Sequence, residues 1–142
     1  AMPMGAGLGS RERLFDWWAT AMDRAAQLSP DAVRASIYVR VLDRAASELA
    51  ASGSSAAAYW VSAGARGAGD LERAWHAAVA AWIRARGATA EAARADLDQL
   101  VTTAIIPERA HALAHAGGLS VRDAAALDAA MRAEWAEIRK SW

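Results

Sequence analysis

Two histidines, His111 and His115, stand four residues apart in a stretch of helical composition. Residues at that spacing share one face of a helix, so the two imidazoles could hold a metal ion or clasp an anion. Glu108 would add a third ligand, and His76 a distant fourth. However, no glutamate follows His111 as the metalloprotease motif requires. The pattern therefore favours exposed imidazoles that stabilise the negative end of a helix dipole, and we predict no metal site and no cofactor.

A glycine-rich stretch over residues 64–69 precedes Asp70. Phosphate-binding loops combine such a stretch with a preceding strand and a following Lys-Ser/Thr pair. This chain offers neither, and the carboxylate of Asp70 would repel a phosphate. We therefore interpret the stretch as a flexible connector that leads to a helix capped by Asp70.

The remaining charged residues form no catalytic set that the sequence can single out. Glu12, Asp16 and Asp23 fall on the polar side of the first predicted helix, and we interpret them as solvated surface. Arg34 falls among apolar residues of the second predicted helix. A buried guanidinium needs a partner, so Arg34 should either pair with an acid of a neighbouring helix or orient a polar ligand, and the ion pair is favoured.

The composition restricts the class of protein. The chain has 142 residues, no cysteine, and 16 basic against 16 acidic side chains. The absence of a basic excess argues against nucleic acid as the partner, because such domains neutralise phosphates. No apolar run approaches the length of a membrane span, and no signal peptide is evident. The abundance of alanine and arginine is typical of a high-GC bacterial genome, and we expect a cytoplasmic protein.

Tryptophan dominates the aromatic residues, with seven Trp against one Phe and two Tyr. Bulky rings between small alanines favour simple core packing, but an apolar ligand pocket or a partner surface would give the same enrichment. Trp142, at the end of the last helix, either folds back on its own bundle or packs on another chain. The candidate pocket or partner-surface residues are Trp18, Tyr38, Trp60, Trp75, Trp82, Trp135 and Trp142.

These side chains must be positioned by helices, because apolar residues recur at spacings of three and four and no window alternates like a strand. We predict an all-α fold, a compact bundle of about six or seven helices forming one domain over residues 10–142, after a disordered segment over residues 1–9. The first helix, from about Ser10 to Leu28, should bury a stripe formed by Leu14, Trp18, Ala21, Ala25 and Leu28, which Phe15, Trp17 and Met22 widen. The later helices should cover about 30–51, 54–66, 71–86, 89–106, 107–116 and 120–142, with an end or kink before Pro107.

The layout is similar to the effector-binding half of TetR-type bacterial repressors, where six or seven helices form an apolar pocket and a helical dimer face. The similarity covers only this general layout, and the helix-turn-helix that should come first is missing. The similarity implies a non-enzymatic binding module that takes a small apolar ligand. It also implies that this module forms a homodimer or binds a helical protein partner. The alternatives are a phasin-like protein whose amphipathic helices coat a hydrophobic surface, and a small helical enzyme that uses His111 and His115.

Overall fold

The computed structural model describes residues 4–87 and 90–142. Within these ranges the chain forms seven α-helices and one π-helical segment, and no strand. The predicted all-α bundle of about six or seven helices is confirmed. The elements are α1 (Met4–Gln27), α2 (Asp31–Ser52), α3 (Ser55–Gly67), α4 (Leu71–Arg84), α5 (Ala90–Leu100), the π-helical segment (Val101–Ile105), α6 (Ile106–Ala116) and α7 (Val121–Ser141).

The helix starts follow the capping residues of the sequence. The Ser54 hydroxyl accepts the backbone N–H of Ala57 at the start of α3, and the Asp70 carboxylate accepts that of Arg73 at the start of α4. Ser120 forms a complete capping box with Asp123 before α7. These caps satisfy amide groups that have no partner inside the helix, which fixes where each helix begins. Thr89, which the sequence offers as the N-cap of the helix predicted to end before Pro107, lies outside the described residues.

The Ser29-Pro30-Asp31 sequence predicts Ser29 as the N-cap of α2 and Pro30 as its first helical residue, and the structure differs. Pro30 occupies the N-cap position of α2 and offers no side-chain cap, whereas the Ser29 hydroxyl donates to the carbonyl of Ala25. Arg34 caps the other side of the junction, since its Nε donates to the Ala26 carbonyl and its Nη2 to that of Ser29. Its ion pair is with Asp31 of its own helix, not with an acid of a neighbouring one.

The disordered segment predicted over residues 1–9 stays a prediction. Residues 1–3 lie outside the described residues, and α1 has its first residue at Met4.

The glycine-rich stretch is not the flexible connector that we predicted. Gly64 and Gly67 belong to α3, where Gly64 is buried against α2. A Cβ placed on Gly64 would come within 3.0 Å of the Leu42 backbone nitrogen, and one on Gly67 would overlap the ring of Tyr38. These glycines therefore allow α2 and α3 to approach closely, and only Gly69, with a φ of 88°, makes the turn to α4.

The centre of the bundle is a tryptophan cluster. The ring of Trp135 in α7 lies edge-on to Trp75 and Trp82 of α4, with centroid distances of 5.9 and 5.4 Å. Trp135 is only 1% exposed, and its indole N–H donates to the Asp98 carboxylate. The packing interpretation thus holds for these three indoles, which attach α7 to the rest of the bundle.

Helix α1 buries only one edge of its predicted stripe. The face that it buries contains Phe15, Ala19 and Ala26, with Met22 and Trp18 partly buried beside them. Leu14 and Leu28 of the predicted stripe are 62% and 84% exposed. Both sets repeat at helical spacing, so the sequence pattern alone did not distinguish between the two faces.

Candidate functional site

A long groove separates α1 from α5 and has α3 as its floor. It consists of two adjoining cavities of about 560 and 490 Å³ that share Tyr59, Trp60 and Asp96 as lining residues. We call it the α1–α3–α5 groove. The additional residues of the first cavity include Glu12, Arg13, Asp16, Thr20 and Ser55, and those of the second include Asp23, Tyr38, Arg66, Gln99 and Thr103.

One wall of the groove is the acidic side of α1. Glu12, Asp16 and Asp23 are each half-buried, not the solvated surface that the sequence suggested. The Asp16 carboxylate accepts the indole N–H of Trp60 at 2.8 Å, and that of Glu12 accepts the backbone N–H of Ala56 at 3.2 Å. These bonds to α3 fix the rotation of α1 and keep its carboxylates along the groove.

The floor is aromatic. The rings of Tyr59 and Trp60 meet edge to face, with centroids 5.2 Å apart and an interplanar angle of 87°. The pKa of Tyr59 is raised, first by burial and then by the negative charges of Asp96, Asp23 and Asp16. The groove therefore places the electron-rich faces of two rings in a negative electrostatic potential.

The opposite wall is formed by α5 and the π-helical segment that continues it. Asp96 is exposed, and among the described residues its carboxylate forms no hydrogen bond and no ion pair. Gln99 and Thr103 follow along the same wall. The π-helical turn comes just before Pro107, at the point where we predicted an end or kink, and such turns are frequent at functional sites.

One end of the groove is closed by a network of ion pairs and hydrogen bonds. The Nε of Arg66 donates to both carboxylate oxygens of Glu108, each at 3.0 Å, so this guanidinium is already neutralised. The hydroxyl of Tyr38 donates to Asp23. Burial, followed by the hydrogen bond and charge of Asp23, raises the pKa of Tyr38 to about 12. Positive charge is thus paired at this end. The first cavity keeps a negative excess, because Glu12, Asp16 and Asp96 outnumber Arg13 there.

The arrangement suits recognition of a positive charge. Carboxylates attract and hydrogen-bond an ammonium or guanidinium group, and aromatic faces add cation–π attraction. A bare metal ion needs several oxygen or nitrogen ligands around one point, and no group of three His, Asp or Glu residues with that geometry occurs across residues 4–87 and 90–142. The groove favours an organic cation.

The residues predicted from the sequence do not meet around one cavity. Tyr38 and Trp60 line the groove. Trp18 is half-buried on the other side of α1 under the guanidinium of Arg44, 4.4 Å from the ring centroid. Trp75, Trp82 and Trp135 form the central cluster. Trp142 does not fold into the core, since it is 58% exposed, although its carbonyl accepts a hydrogen bond from Arg94.

The histidine pair is assembled as a stack on the surface of α6. His111 and His115 are exposed and their rings are nearly parallel, with centroids 6.5 Å apart. Glu108, the expected third ligand, binds Arg66 instead. His76 is exposed on α4. Glu108 is therefore not free to act as a third ligand beside the two histidines.

The residues of the groove that the sequence interpretation missed are mainly Tyr59 and Asp96. Neither residue belongs to a motif that the sequence singles out. The available signal was the spacing of Glu12, Asp16 and Asp23, which places three acids on one side of α1. Such a stripe predicts solvent as readily as a binding site, because the sequence does not show which helix packs beside it.

None of the described helices is long and apolar enough to cross a membrane. Searches against protein-family models, curated proteins and solved structures found no match to this chain.

Proposed function

We propose that this chain is a non-enzymatic helical binding module whose α1–α3–α5 groove takes an organic cation. The observation that carries the proposal is the position of Asp96, whose carboxylate forms no ion pair within the described part of the chain and lines the groove together with Tyr59 and Trp60. A cation placed there would contact an aromatic surface and a carboxylate together.

The shape of the groove favours an elongated ligand. Its two cavities adjoin end to end, and the second has amide and hydroxyl groups at Gln99 and Thr103. A flexible polyamine or a basic side chain of a peptide has a cationic group on an aliphatic body. Such a ligand fits a groove whose carboxylates and aromatic floor are followed by amide and hydroxyl groups. The small apolar ligand that we predicted from the tryptophan content has less support from a groove with this many carboxylates.

Calorimetric titration with spermidine tests the proposal directly. The wild-type protein should bind it, and Asp96→Asn should weaken the affinity about tenfold, because a charge-assisted bond is replaced by a neutral one. Asp96 lies on the surface, so the substitution should leave the fold unchanged. Glu134→Gln, an equally exposed acid on α7, is the matched control and should bind like the wild type.

Equal losses in both variants would show only a general charge effect and would contradict the proposal. Binding that is unaffected by Asp96→Asn would likewise place the cation elsewhere.

The homodimer predicted from the helical layout stays a prediction. Light scattering of the full chain over a range of concentrations tests it independently of ligand binding.

A further inference from the structure

The outer side of α1 carries a row of exposed apolar side chains that the fold does not use. Leu14 and Trp17 are 62% and 63% exposed, Leu28 is 84% exposed, and Val33 at the start of α2 is 48% exposed. Leu14 and Trp17 lie on the side of α1 opposite the carboxylates of the groove. Leu28 directly follows the last residue of α1 and extends this row, because its backbone N–H still bonds to the Arg24 carbonyl. We call these four residues the Trp17 face.

The two helices beneath this face are antiparallel neighbours. Arg11 near the start of α1 pairs with Glu48 near the end of α2, whereas Tyr38 in the first half of α2 bonds to Asp23 in the second half of α1. The Trp17 face therefore runs along a two-helix layer, and its four residues line neither cavity of the groove. The face is thus a broad apolar strip that is separate from the groove.

The charges around the Trp17 face are mostly positive. Arg24 on α1, and Arg40 and Arg44 on α2, form no ion pair within the described residues. The acids of these two helices are occupied elsewhere, with three in the groove and Glu48 and Asp31 in ion pairs, as described above. Only Asp43, at the outer edge of α2, remains beside three arginines.

We propose that the Trp17 face docks on the surface of an anionic lipid bilayer. An indole and leucines can enter the boundary between headgroups and acyl chains while the arginines contact lipid phosphates. A second copy of the chain fits less well, because a symmetric contact through this face would bring the arginines of the two copies together. The charge complementarity thus selects a negative surface as the occupant.

Vesicle co-sedimentation of the full chain tests the proposal. The protein should bind vesicles of phosphatidylcholine and phosphatidylglycerol, bind pure phosphatidylcholine weakly, and dissociate at high salt. Trp17→Ala should lower the partition coefficient about fivefold through lost apolar burial. Arg40→Glu should lower it about tenfold, because it changes the charge at the surface by two units.

Matched controls exclude general effects. Trp142→Ala removes another exposed indole, directly after α7, and Arg122→Glu reverses another exposed arginine, at the start of α7. Both variants should bind vesicles like the wild type, and circular dichroism should show the same helix content in all five proteins.

Three results would overturn the proposal. One is no binding, or equal binding to anionic and neutral vesicles. Another is equal losses in the control variants. The third is evidence that the Trp17 face binds a protein. A dimer that Trp17→Ala dissociates would assign the face to a second copy of the chain. Trp17-dependent binding to polyglutamate without vesicle binding would assign it to an acidic protein partner.

Discussion

Single hydrogen bonds determine whether the acidic residues of α1 are ordinary surface groups or partners of buried donors. Asp16 accepts from the Trp60 indole and Asp23 from the Tyr38 hydroxyl, and both donors are on buried rings. Buried donors without partners would destabilise the fold, so these carboxylates satisfy the interior as well as line the groove. The same acids would be ordinary surface residues if α1 were rotated by half a turn.

The phenol of Tyr38 predicts a loss of stability at high pH. Its pKa is about 12 in the folded protein, against 10.0 for an ordinary tyrosine. Between these values the unfolded chain loses the phenol proton while the folded protein retains it. The free energy of unfolding should therefore be unaffected by this group below pH 10 and should fall as the pH rises from 10 to 12.

Tyr38→Phe tests this assignment, since phenylalanine has no proton to lose. Urea unfolding should show a smaller decrease in stability for the variant than for the wild type across this pH range. The variant should also be less stable at neutral pH, because Asp23 loses a hydrogen-bond donor. If the two proteins lose stability in parallel at high pH, the loss arises from other groups.

At the scale of elements, the close contact between α2 and α3 depends on glycine. Gly64 lies mid-helix, where glycine is ordinarily unfavourable, and its backbone faces that of Leu42. The missing side chain lets α2 and α3 pack almost backbone to backbone. This close packing buries Ala63 and Ala65, the neighbours of Gly64.

Gly64→Val should therefore lower the free energy of unfolding by about 1–3 kcal/mol, because the added carbons must displace a backbone and not a flexible side chain. The matched control is Ala80→Val on the exposed side of α4, where only helix propensity changes and the cost should be about 0.5 kcal/mol. Chemical denaturation of both variants measures the difference. Similar values would show that α2 and α3 can separate without cost.

At the scale of the whole molecule, Trp135 in α7 and Trp142, the residue directly after that helix, have opposite roles. Trp135 is 1% exposed within the central cluster, whereas Trp142 is 58% exposed. Trp135→Ala should destabilise the protein by about 3–5 kcal/mol, since it leaves a large cavity and removes a donor from Asp98. Trp142→Ala should change stability by less than about 0.5 kcal/mol. Thermal unfolding followed by circular dichroism measures both, and a large effect of Trp142→Ala would reveal a contact absent from the single chain.

Helix boundaries and fold class were accessible from the sequence because they depend on local chemistry. Ser54, Asp70 and Ser120 satisfy free amides within one turn, and Pro107 cannot continue an α-helical hydrogen-bond pattern, so each acts on its immediate neighbours wherever the helices later pack. The spacing of apolar residues then required helices that bury one side.

Only the tertiary structure decided which side that was, and with it the candidate site. α1 has apolar residues around much of its circumference, and the strip with Phe15 and Ala19 is buried in the core, in the orientation that also brings Asp16 to Trp60 on α3. The groove is likewise formed by α1, α3 and α5, which are distant in the chain. A sequence specifies local hydrogen bonds directly, but the partner of a helix face depends on the sum of contacts over the whole bundle.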